Sequence, residues 1–129
     1  MIFIKNIHLK GDKNMVGNIN NLKSKEISSS EAKNAFMKVL VSPSDGWKDY
    51  VMRVIEIKED GFTPRHFHPW PHINFIIEGE GELFIDGVAN KVVSGSYAFV
   101  PGNSVHQFRN TGDSLFKFIC IVPKEGHVY

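Results

Sequence analysis

A chain of 129 residues with 42% hydrophobic and 22% charged side chains has the size of one globular domain and can bury a core. Its 15 basic and 14 acidic residues leave a net charge of +1, and no stretch interleaves Lys and Arg with aromatics, which excludes an electrostatic nucleic-acid surface. The single cysteine, Cys120, excludes an intrachain disulfide and a cysteine-based zinc knuckle. With the apolar run of the opening MIFIKN too short for a signal peptide or a membrane span, the expected location is cytoplasmic.

The first seven residues predict a short strand. The stretch GDKNMVGNINNLKSKEISSS that follows His8-Leu9-Lys10 is polar with no apolar period, and reads as a loop or peripheral arm. An unstructured segment of that length is uncommon inside a compact domain, so residues 1–30 are expected at the edge of the fold or against a partner subunit. Ser30-Glu31-Ala32 predicts one helical turn, after which the domain proper, residues 31–129, is all-β.

From residue 36 the chain alternates short apolar runs with turn residues. The runs are FMKVLVS, YVMRVIEIK, HINFIIEG, GELFIDG, GSYAFVP, VHQFRN and LFKFICIVP; the breaks are SPSDG, EDG, PWP, DGVAN, PGNS and NTGD. Pro, Gly, Asn and Asp supply the backbone angles that turns need, and many closely spaced strands predict a sandwich or barrel. Most of the ten Phe residues are expected to fill that core.

Alternation assigns the faces. In YVMRVIEIK, Arg53 shares its face with Val51, Ile55 and Ile57, so a guanidinium stands among apolar neighbours. It needs an acceptor there. Two readings stay open: an ion pair within the core, or an anion-binding group lining a pocket. On the last strand, Phe116, Phe118 and Cys120 share the inward face, whereas Leu115, Lys117 and Ile119 point outward.

Four of the six histidines fall in two patches. GFTPRHFHPWPHINFIIEG carries His66, His68 and His72 at one parity, which on a strand puts their imidazoles on one face. GSYAFVPGNSVHQFRN carries His106, which the polar flanks Gln107 and Arg109 turn inward with Phe108. Clustered inward imidazoles repel when protonated and leave ring nitrogens unpaired when neutral; a divalent cation removes both problems. His8 and His127 read as solvated surface residues.

The two patches resemble the paired motifs of the cupin superfamily. The first motif maps to Gly61, His66, His68, His72 and Gly79, with His72 in the slot usually held by glutamate. The second maps to Gly95, Pro101, His106 and Asn110, with Asn103 at a glycine position that Asn tolerates because it enters the left-handed region readily. The match covers residues 36–123 and is similar to small one-domain cupins with a four-histidine, manganese-type site.

That resemblance implies a double-stranded β-helix, or jelly-roll barrel. It further implies a homodimer with one divalent ion per chain, Mn foremost, with Fe, Ni, Cu and Zn also accepted by imidazole. Four neutral ligands leave the ion's full charge uncompensated, which favours anionic partners. Arg53, Thr63, Trp70, Phe108, Phe118 and Cys120 are the expected pocket residues. The expected activity is a metal-dependent oxidoreductase of dioxygenase type acting on a small organic molecule. A non-catalytic metallo-cupin that binds or senses a small molecule is the alternative. A sugar-type isomerase or epimerase ranks third because no Asp or Glu is evidently placed as a base.

Overall fold

A computed structural model of the chain describes residues 14–127; the strand expected over the first seven residues and His8 lie outside them. The described strands are β1 (Lys25–Glu26), β2 (Lys33–Val41), β3 (Tyr50–Phe62), β4 (His72–Glu78), β5 (Glu80–Ile85), β6 (Val88–Val93), β7 (Tyr97–Val100), β8 (His106–Asn110) and β9 (Phe116–Pro123). They form one sheet in the order β6-β5-β8-β3-β9-β4-β7, with β2 joined to β3 and β1 to β2. All the pairings are antiparallel. No helix among the described residues is long and apolar enough to cross a membrane.

The sheet is rolled up, because inward residues from β2 through β9 meet in one core: Met37, Ile57, Ile76, Leu83, Val92, Val100, Phe108 and Phe116 among them. Strict alternation drives the closure. On β9 every second residue (Phe116, Phe118, Cys120, Val122) is buried, and β4 alternates through most of its length. The jelly-roll barrel expected from the sequence is the fold observed.

Four local readings change. The polar segment is more ordered than its composition predicts: Lys25–Glu26 pairs with Met37 and Phe36 of β2, and Ile27 is buried in the core cluster. Its one apolar anchor is too sparse to give a period. Residues 30–31 form a turn, held by the Ala32 amide donating to Ser29 O at 3.2 Å, and not a helical turn. Glu59-Asp60-Gly61 does not break β3. Asp60 takes a φ of 61°, and the β2 register slips there, so the three residues make a bulge inside a long strand. In DGVAN only Asp86-Gly87, with φ of 45° and 89°, makes the turn. Val88-Ala89-Asn90 begins β6, an edge strand exposed along most of its length and therefore without a core pattern to read.

Two motif positions have clear backbone reasons. Gly79 has a φ of 82°, and a Cβ there would run into the Leu115 carbonyl. Asn103 adopts a φ of 68°, the left-handed turn for which the motif otherwise uses glycine.

Candidate metal centre

His72 opens β4 and His106 opens β8, both inward and buried. His66 and His68 lie between β3 and β4 in extended chain and not on a regular strand. His66 is fixed there by a two-way backbone bridge to His106: the His66 amide donates to His106 O at 3.1 Å, and the reverse bond is 2.9 Å. Exposed Phe67 shows that the alternation survives, with His66 and His68 turned inward on either side of it. Two stretches of chain some forty residues apart thus bring four imidazoles to one end of the barrel.

The ligating nitrogens of His66, His68 and His106 all lie within 4.8 Å of one another. His72 stands outside that group of three, although its Nε2 is 3.1 Å from His106 Nε2 and its ring centroid lies 5.5 Å from that of His68. Three Nδ1 atoms are tethered to oxygens that can only accept. His68 Nδ1 donates to Trp70 O (2.7 Å), His72 Nδ1 to Asn74 Oδ1 (2.7 Å) and His106 Nδ1 to Ser104 O (2.9 Å). Asn74 is oriented in turn by its Nδ2, which donates to Ile119 O at 3.4 Å.

These tethers fix the tautomer. With the proton on Nδ1, the Nε2 atoms of His72 and His106 are bare lone pairs facing each other at 3.1 Å. Protonation does not relieve the clash near neutral pH. Burial pushes His66, His72 and His106 down to about 4, and it lowers His68 as well. The other rings push His66 and His106 down further, and Arg53 does the same to His72. A cation between the nitrogens removes the repulsion. Two imidazoles bonded at about 2.0–2.1 Å to one ion sit about 2.8–3.4 Å apart across octahedral or tetrahedral angles. The donor set, spacing and outer tethers fit a divalent metal.

Arg53, Thr63, Trp70, Phe108, Phe118 and Cys120 all line the cavity beneath the histidines, together with Ile27, Ile55 and Val122. Trp70 stacks on His68 at 4.9 Å and 11°. Thr63 is occupied structurally, its Oγ1 accepting from the Phe108 amide at 3.0 Å. Phe108 and Phe118 stack at 4.1 Å and form the floor. No Asp or Glu is among the lining residues.

Two contributors escaped the sequence reading. Asn74 shares the parity of His72, a signal that was present but unused. Ile27 reaches the cavity from the polar segment, where nothing marks it. The expectation for His127 is corrected: it is half-buried, its Nδ1 has no partner, and burial lowers its pKa. The 3-10 turn Lys124–Gly126 folds this end back, with Gly126 packed against Trp70 and Val122.

The chain belongs to the cupin family: the model described as Cupin_2, Cupin domain, matches residues 53–122. An uncharacterized protein of Aquifex aeolicus (strain VF5) is 37% identical over 49 residues, which are 37% of this chain and 40% of that protein. The chain therefore spans well under two thirds of that relative. The polyketide cyclase RemF from Streptomyces resistomycificus superposes with a TM-score of 0.82 at 24% identity, over 87% of this chain and 80% of the cyclase. A predicted oxalate decarboxylase from Thermotoga maritima gives 0.77 at 21% identity, over 84% and 98%. Identities this low establish a shared fold; the activities in those names differ, as expected where function resides in the site.

Proposed function

We propose that this chain holds one divalent metal ion, with Mn favoured over Fe, Ni, Cu and Zn. Its ligands are His66, His68 and His106, with His72 as the fourth. With that ion it acts as an oxidoreductase of dioxygenase type on a small organic molecule. The carrying observation is the facing pair of Nε2 lone pairs, backed by a cavity with aromatic walls. The ion, when bound, supplies Lewis-acid and one-electron chemistry. The protein's part is to hold the rings in one tautomer through Trp70 O, Asn74 and Ser104 O, and to exclude water with Phe108, Phe118 and Trp70. Among the described residues no carboxylate lines the cavity to act as a general base, which weighs against an isomerase.

The outer face of β4, β7 and β9 supports a homodimer. It exposes Ile73, Phe75, Tyr97 and Phe99, more apolar surface than scattered single residues explain. A buried free thiol at Cys120 suits a reducing compartment such as the cytoplasm.

The test is oxygen consumption by metal-loaded protein over a panel of short organic acids and phenols, with His106→Ala as control. Turnover that needs both metal and His106 is expected. Ligand binding with no turnover across the panel contradicts the oxidoreductase and leaves a binding protein.

A further inference from the structure

Arg53 is 6% exposed and projects from β3 into the cavity, where Cys120 Sγ, at 3.4 Å from Nη2, is its hydrogen-bond partner. Its Nε and Nη1 are buried with no partner among the described residues. Among the described residues no carboxylate pairs with it, and the ion pairs are all formed by lysines. A thiol is a weak acceptor, so a full positive charge sits desolvated and almost unsatisfied, an arrangement that costs several kcal/mol unless something answers it. The core ion pair considered from the sequence is not what the structure contains.

We infer that Arg53 is the anchor of a substrate subsite for a short organic acid, its carboxylate on the guanidinium and a second oxygen function directed at the histidine centre. Whichever Nη2 hydrogen faces Cys120, one two-donor edge of the guanidinium stays free, which is the geometry a carboxylate fills. The route to the histidines is short. Arg53 lies opposite Cys120, Cys120 lies opposite Asn74, and Asn74 Oδ1 accepts from His72. The walls between are Ile55 and Phe118, so the ligand's middle is apolar or planar and only its ends carry charge. The cavity holds about 60 Å³. That is room for about four or five water-sized groups, which limits the ligand to a few heavy atoms within the barrel.

This deepens the metal-enzyme reading and rests on it for the second contact only, so the test separates the two. The full chain, stripped of metal with EDTA and labelled with ¹⁵N-arginine, is titrated with pyruvate and with its neutral isostere pyruvamide. Pyruvate is expected to shift and saturate the Arg53 Nε–H resonance; pyruvamide is not. Arg53→Met is expected to weaken pyruvate binding about 10- to 100-fold, the worth of a charged hydrogen bond. An unmoved resonance, or equal binding of acid and amide, overturns the inference, and neither readout depends on a substitution folding well. Manganese-loaded protein should then bind pyruvate at least tenfold more tightly than metal-free protein, with no such gain for acetate. A missing gain with the Arg53 response intact overturns the second contact and counts against the metal reading instead.

Discussion

Strand β8 carries His106 at one end and Asn110 at the other, and the same division runs through β3, β9 and β4: Arg53 and Ile57 on β3, Cys120 and Phe116 on β9, His72 and Ile76 on β4. The end around Phe116 is held by volume. Phe108, Phe116 and Phe118 pack with centroids 4.1–6.4 Å apart, and the one buried polar side chain, Asn110, is satisfied by Ile57 O and Ser114 O at 2.8 Å and by the Gly112 amide. The histidine end is held by tethers that aim lone pairs and a guanidinium into a cavity and leave them unanswered. One end obeys the rules of a stable core and the other breaks them, which is where function is expected.

The largest effect should come from the histidine end. His106→Ala removes a proposed ligand and leaves the backbone bridge to His66 in place, so metal bound per chain should fall from about one to near zero while the barrel stays folded. Elemental analysis after gel filtration reads this. Retention of stoichiometric metal would show that the end is not a metal site. Phe116→Ala is the converse. It should cost about 3–5 kcal/mol in urea unfolding yet leave the metal content of the folded fraction unchanged, because a core cavity has no link to the ligands. Metal lost in parallel with stability would mean that the two ends are one cooperative unit.

Asn74→Ala keeps all four rings and removes the His72 tether together with Asn74's own bond to Ile119 O. Metal affinity should weaken about 10- to 100-fold, as for other outer-shell changes, with little change in the metal-free melting temperature. An unchanged affinity would mean that His72 is not a ligand.

These predictions separate what the sequence made legible from what it did not. The four histidines could be read because their parity and flanking polar residues fix their faces whether or not the chain is in regular strand; His66 and His68 are not, yet point inward. Arg53 was readable on β3 for the same reason. Val88-Ala89-Asn90 was missed because an exposed edge strand has no apolar face, and Glu59-Asp60-Gly61 because a bulge uses the same residues as a turn. Ile27 contributes through one side chain, below what any period can reveal.

A further expected effect is on pH dependence. The unfolded chain protonates its histidines near pH 6.5, but His66, His72 and His106 in the folded chain not until about 4. Between those values the unfolded state binds more protons. The metal-free protein should therefore lose stability as pH falls from 6.5 towards 4, and gain none from these groups above 6.5. Melting temperatures of EDTA-treated protein across that range should slope downward on acidification. A flat profile would mean that the rings are more solvated than their burial suggests.

In the proposed site four imidazoles converge on one ion. X-ray absorption of protein expressed without an affinity tag and reconstituted with manganese tests it most directly. One ion per chain with four nitrogen donors at about 2.0–2.3 Å is the predicted result. Substoichiometric metal, or a shell of oxygen donors with fewer than three nitrogens, would contradict it.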